Sequence, residues 1–309
     1  MAYLKSFRRK FPILVMYGLL LTSLPAYADQ SKGRLIKKVM EKRAQNKNSD
    51  SGSTKGLYQK GAGQSQQGSI NRRSFIVYTP PAPFVAKNRP LLVVLHGGMG
   101  NAEQIQNYIG LEPLADKHGF IVVYLNGTKV SRITSGKRGG WNAGGCCGLP
   151  EKNKVDDIGY INKLIDYMHR QYGIDPKHVY GTGHSNGGMM TQRIMCETQL
   201  YKSAVSLSGT LQLERQSCPQ AKGRHIMNIH GVEDFNLPVR GGYTVKGINK
   251  KTNYKSQEYT QGVFERSGAV YDVVLLEGAD HSPESLNAAL WAQEGISLPQ
   301  KIVSYLELD

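Results

Sequence analysis

The chain has 309 residues, 39% of them apolar, enough to build the core of one large or two small domains. Its net charge of +15 is unevenly placed. Residues 1–73 carry 15 Lys and Arg against 3 Asp and Glu, whereas the rest carry 24 against 21. The body therefore lacks the basic footprint of a nucleic-acid enzyme, which argues against nucleic acid as a partner.

In chain order, the first feature is a leader. Lys5, Arg8, Arg9 and Lys10 precede an apolar run over 11–24, and Ala26-Tyr27-Ala28 supplies the small residues of a cleavage site. This is the layout of a secretory signal peptide over 1–28, with cleavage after Ala28 and a secreted or periplasmic protein. The apolar run is short for a membrane span, so no stable anchor is expected after processing. In an oxidising compartment Cys146, Cys147, Cys196 and Cys218 can form two disulfides by any of three connectivities. Their spacing fits no zinc pattern, and no metal is expected.

Residues 29–69 are polar and basic with almost no aromatics, and read as a largely disordered segment. The folded domain is expected over 70–309. Residues 73–79 alternate like a strand, and 91–95 form a continuous apolar run, as in a central strand covered on both faces. Helical spacing runs over 101–118, and 120–125 reads as a second buried strand. A long Gly-rich loop follows over 126–154. Residues 155–172 read as a helix with Asp156 and Asp157 at its positive end. A strand over 179–182 feeds a helix over 186–197. Strands at 204–207, 226–229 and 270–276, with helices at 254–267, 283–293 and 299–308, complete the pattern. Such alternation predicts an α/β fold with a mostly parallel sheet and helices on both faces.

The segment that organises the rest is Gly183-His184-Ser185-Asn186-Gly187, placed where a strand turns into a helix. That is the context of a nucleophile elbow, which presents a serine at a sharp turn with the helix N-terminus aimed at it. In such hydrolases the order along the chain is nucleophile, acid, histidine. Between 219 and 257 the carboxylates are Glu233 and Asp234, just beyond the 226–229 strand, and the one histidine further on is His281. The expected catalytic set is Ser185, Asp234 and His281, with Glu233 as the substitute acid. His184, beside the nucleophile, reads as support for the elbow. His96-Gly97-Gly98-Met99-Gly100 ends the central strand and matches the second oxyanion-hole station. The hole is assigned to the backbone N–H groups of Gly98, with Met99 as fallback, and Asn186. His96 reads as a structural partner of that loop.

Three further blocks accompany the elbow. They are Trp141-Asn142-Ala143-Gly144-Gly145-Cys146-Cys147-Gly148, Val155-Asp156-Asp157-Ile158-Gly159, and the pair His230-Gly231-x-x-Asp234 with Gly278-x-Asp280-His281. Together they resemble the secreted esterase family of polyhydroxybutyrate depolymerases and feruloyl esterases, over about residues 74–308. The resemblance implies an α/β-hydrolase fold, a Ser-Asp-His triad, no cofactor, and a small or oligomeric ester as substrate. It points first to 3-hydroxyalkanoate esters, with a feruloyl or acetyl-xylan esterase as the alternative. A catalytically silent binding protein on the same fold is the non-enzyme alternative, opposed by the intact triad. Two departures concern the acyl-binding surface. Ser282-Pro283-Glu284 stands where relatives often have aromatic-Pro-Gly, and 241–259 is short of the usual extra aromatic and cysteine residues. The resemblance also places the Trp141 loop at the cleft, with Trp141 either lining it or packing beneath it. A bond from Cys146 or Cys147 to Cys196 would pin this loop beside the elbow helix, with Cys218 taking the remaining partner or staying close to it.

Overall fold

A computed structural model of the chain describes residues 60–81, 88–130, 138–244 and 252–309. The expected leader, its cleavage point and the basic segment up to residue 59 lie outside the described residues. The strands are β1 (Gln64–Ile70), β2 (Arg73–Thr79), β3 (Arg89–Leu95), β4 (Ile121–Leu125), β5 (Thr128–Lys129), β6 (Gly139–Gly140), β7 (Ile174–His184), β8 (Ser203–Leu207), β9 (His225–Gly231), β10 (Gly242–Tyr243), β11 (Asn253–Tyr254) and β12 (Val270–Leu276). The α-helices are α1 (Ala102–Ile109), α2 (Glu112–His118), α3 (Gly148–Lys152), α4 (Asp157–Tyr172), α5 (Asn186–Glu197), α6 (Gln257–Glu265), α7 (Pro283–Glu294) and α8 (Leu298–Tyr305).

Eight strands form one sheet in the order β1-β2-β4-β3-β7-β8-β9-β12. β1, β2 and β4 pair antiparallel, and every pair from β4 onward is parallel. The sheet is buried on both faces where the apolar runs are continuous, so Leu91–Leu95 splits its side chains. Leu91, Val93 and Leu95 join a core with residues of α4, α5 and α6. Leu92 and Val94 join a second core with residues of α1, α2, α7 and α8. Each such side chain, fully removed from water, contributes about 1.5–3 kcal/mol.

Local chemistry sets the ends of the helices. Asn101 caps α1 by accepting from the Gln104 N–H at 2.8 Å, and Gly110 ends it in the left-handed region at φ 65°. The helical spacing over 101–118 is thus two helices, not one. The expected helix over 254–267 also starts later, because Ser256 caps it and Tyr254 belongs to β11. The sheet begins ahead of residue 70, since residues 64–69 of the basic segment form most of β1.

Past β3 the chain steps outward to β4 and then returns to β7 on β3's other side. The loops leaving β3 and β7 therefore diverge at a switch point, where an α/β sheet opens a crevice.

Candidate active site

Ser185 sits between β7 and α5 with φ 56° and ψ −120°, a region an L-residue occupies at a cost of order 1–3 kcal/mol. The surroundings hold it there. Its N–H donates to the Leu207 carbonyl at 2.8 Å and its own carbonyl accepts from Met189 N–H at 2.9 Å. A Cβ on Gly183 would lie 2.5 Å from the Gly187 oxygen, and one on Gly187 would strike the Leu95 carbonyl. Both positions flanking the serine must be glycine for the turn to close.

The loops after β9 and β12 bring the other two expected residues to this serine. His281 Nε2 lies 2.8 Å from Ser185 Oγ, and His281 Nδ1 lies 2.6 Å from Asp234 Oδ2. Asp234 is buried, which alone would push its carboxyl up. Hydrogen bonds from His230 and His281, and the Leu237 N–H, hold it well below the usual carboxylate range. The carboxylate is therefore charged and fixes a proton on His281 Nδ1, leaving Nε2 to accept the Ser185 hydroxyl proton. Glu233, the substitute acid, is exposed and its backbone N–H bonds to Ala279.

The loop after β3 stands against the elbow. A Cβ on Gly97 would lie 3.3 Å from Ser185 Cβ, and one on Gly98 would lie 3.8 Å from Asn186 Cβ. Met99 N–H is already donated to the Gly139 carbonyl at 2.8 Å. The Gly97 carbonyl accepts from Gly100 N–H at 3.0 Å and pairs with His96 Nδ1 at 2.7 Å. In a trans peptide the N–H points opposite the C=O, so the Gly98 N–H faces away from His96. Asn186 opens α5 and its N–H has no intrahelical partner. His96 is a loop partner, as expected. Its Nε2 accepts from Gly127 N–H at 2.9 Å, and burial lowers its pKa to about 4, keeping it neutral.

A cavity of about 640 Å³ opens over these groups. Ile105, Tyr108, Val130, Met189, Leu237 and Tyr254 supply most of its apolar wall. Its size is that of a small-molecule site rather than a surface dimple.

The Phospholipase/Carboxylesterase family model matches residues 86–272, more than half of the chain. The chain belongs to that family. Among its relatives, a bifunctional acetylxylan esterase/xylanase of Neocallimastix patriciarum is 30% identical over 234 residues, covering 69% of this chain and 31% of that protein. Feruloyl esterase B of Piromyces equi is 28% identical over 196 residues, covering 59% and 34%. The chain thus spans about a third of the length of these two relatives. The solved acetyl xylan esterase from Aspergillus awamori superposes with a TM-score of 0.51 at 19% identity, covering 80% of this chain and all of that one. At that identity the likeness establishes the α/β-hydrolase fold and nothing finer.

Two expectations for this carboxylesterase-family chain need correction. Trp141 does not line the cleft. It is fully buried, its Nε1–H donates to the His96 carbonyl at 2.8 Å, and its ring packs 5.1 Å from the His96 ring. An indole whose N–H has a buried acceptor is more stable beneath the loop than at the surface. The disulfides are Cys196–Cys218 and the adjacent pair Cys146–Cys147. Cys147 lies at the cleft, whereas Cys196 sits at the far end of α5, about 16 Å along the helix from Ser185 at 1.5 Å per residue. Cys196 is instead paired with Cys218, which leads into the Pro219–Ala221 turn.

Sequence reasoning left His230 without a role and read His184 only as support for the elbow. His230 is buried with Nε2 3.2 Å from Asp234 Oδ2. His184 Nε2 lies 2.7 Å from the His281 carbonyl, and burial, then the neighbouring His281, lowers its pKa to about 3. His184 is thus a neutral donor that holds the His281 loop. Its position beside the nucleophile was the available signal; His230 offered only its place four residues ahead of Asp234.

Proposed function

We propose that the chain hydrolyses carboxylic esters through an acyl-enzyme on Ser185, and that its substrates are plant-wall esters, feruloyl in preference to acetyl. His281 Nε2 takes the Ser185 proton as Oγ attacks the ester carbonyl. Asp234 stabilises the imidazolium, and the N–H groups of Gly98 and Asn186 receive the oxyanion. Each of those donors contributes about 10²–10³ in rate. The imidazolium then protonates the departing alcohol, and water repeats the sequence to release the acid.

The observation that carries this reading is the unbroken relay from Asp234 through His281 to Ser185, at 2.6 and 2.8 Å. The substrate class rests on two further points. The relatives named for feruloyl and acetylxylan esters weigh against 3-hydroxyalkanoates as the first choice. An acetyl group would leave most of the 640 Å³ cavity empty, whereas a planar hydroxycinnamoyl group would meet its aromatic and aliphatic walls.

Initial rates on methyl ferulate, acetylated xylan and a 3-hydroxybutyrate trimer test the proposal. Methyl ferulate is expected to give a kcat/KM at least about tenfold above the other two. Preference for the trimer would overturn the substrate class. Folded protein that turns over none of the three would overturn the reaction.

A further inference from the structure

The two N–H groups assigned to the oxyanion hole sit on separate elements, the loop after β3 and the first turn of α5. We propose that Trp141 is a positioning residue that, clasped by the Asn186 side chain, fixes those two donors relative to each other. The inference rests on the acyl-transfer reading above.

Trp141 reaches both donors at once. Its indole Nε1–H donates to the His96 carbonyl at 2.8 Å, directly before the Gly97-Gly98 turn. Its backbone N–H donates to Asn186 Oδ1 at 2.7 Å, and its backbone carbonyl accepts from Asn186 Nδ2 at 3.1 Å. This two-way clasp needs one acceptor and one donor on a short planar group. Asparagine provides both; aspartate lacks the donor. On the other side, the Trp141 ring packs on His96, whose own ring bonds to the Gly97 carbonyl and so sets the peptide that carries the Gly98 N–H. A core tryptophan needs one acceptor for its N–H and no more. Here every polar group of the residue is engaged by a neighbour of one of the two donor peptides.

The brace is itself anchored well away from the cleft. Asn142 N–H donates to Asp157 Oδ2 at 2.7 Å, and Asp157 Oδ1 pairs with Arg73 Nη1 at 2.7 Å. The Arg73 guanidinium lies 3.7 Å from the Tyr160 ring centroid and 5.2 Å from that of Trp141. Arg193 Nη1 donates to the Asn142 carbonyl at 2.7 Å, tying the same strip to α5. The Trp141-Asn142 and Val155-Asp156-Asp157 blocks, which the chemistry leaves unused, thus form one support under the hole.

The test uses Trp141→Phe, which keeps a smaller aromatic ring but removes the indole N–H, and Asn186→Ala, which removes the clasp. Phe264→Leu, a buried position in the core packed by α6, serves as the stability control. The readouts are kcat, KM, the affinity of an aryl trifluoromethyl ketone (which forms an oxyanion on the serine), and Tm. Displacing a donor by a fraction of an ångström is expected to lower kcat by about 10–100-fold and leave KM within about twofold. Ketone affinity should fall in parallel. Wild-type kcat and ketone affinity with a lowered Tm, as expected of Phe264→Leu, would overturn the proposal. If Trp141→Phe does not fold, Asn186→Ala decides by the same criteria. Ser185→Ala run alongside keeps the two readings apart: retained turnover there defeats the acyl-transfer reading, whereas loss there with a fully active Trp141→Phe defeats the brace alone.

Discussion

Asp234 Oδ2 lies 3.2 Å from His230 Nε2 as well as 2.6 Å from His281 Nδ1, so one carboxylate oxygen is shared by two imidazoles. The other oxygen, Oδ1, accepts from the N–H groups of Asn236 and Leu237 at 2.9 and 2.8 Å. His230 Nε2 also faces the Leu237 carbonyl at 2.9 Å, which places its proton on Nε2. His230 therefore donates into the acid rather than competing for its proton.

Replacing His230 by Leu removes one of the donors that aim the carboxylate at His281. The expected result is a kcat lower by about tenfold with KM unchanged, measured on the preferred ester, because the lost group acts on proton transfer and not on substrate binding. An equal rise in KM would mean that His230 shapes the cleft instead.

Arg224 concerns stability, not chemistry. Its guanidinium donates to four carbonyls, those of Met195, Thr198, Tyr201 and Gln220, at 2.6–2.7 Å, closing the C-terminal end of the elbow helix α5 without a carboxylate. Arg224→Met is expected to cost about 3 kcal/mol in denaturant unfolding, since it strands several carbonyls at once. Arg224→Lys should recover part of this. kcat of the folded fraction should stay within about twofold in both.

Acid should unfold the protein partly through its buried neutral histidines. Burial lowers His96 to about 4 and His184 to about 3, against about 6.5 in the unfolded chain. The folded state binds fewer protons, so this contribution is complete above pH 6.5 and is lost as pH falls toward the folded values. Each histidine accounts for on the order of 3 kcal/mol by pH 4. Glu112 and Asp157, whose carboxyls burial raises, act in the opposite sense. Urea midpoints at pH 7 and pH 4.5 should differ clearly, and His96→Gln should reduce the difference.

The Cys196–Cys218 bond ties the last turn of α5 to the segment that opens the Pro219–Ala221 turn, across 22 residues. Converting both cysteines to Ala is expected to cost about 3 kcal/mol, with kcat of the folded protein unchanged. A loss of kcat at full stability would mean that the bond positions Ser185 directly.

Much of the fold was legible in the sequence. The apolar runs 91–95 and 120–125 became the buried strands β3 and β4 because continuous burial on both faces leaves no place for polar residues. Strand β1 was not legible. Its residues, Gln-Ser-Gln-Gln-Gly-Ser-Ile, are mostly exposed, and the strand is held by its ladder to β2 across a turn in which Asn71 and Arg72 take φ 52° and 64°. A turn of that geometry usually advertises itself with glycine, and here it does not. Ser185, Asp234 and His281 were legible as expectations because chain order and strand exits constrain them. The burial of Trp141 and the position of His230 were not, since both depend on packing between segments far apart in sequence. The cysteine connectivity was not legible either, since four cysteines allow three pairings and spacing alone does not choose among them.

The central claim concerns one nucleophile, and intact-mass analysis with peptide mapping after fluorophosphonate treatment tests it most directly. One adduct is expected, on the peptide containing Ser185, absent from Ser185→Ala and formed far more slowly in His281→Ala. An adduct at another serine, or unaltered ester turnover by Ser185→Ala, would contradict the account.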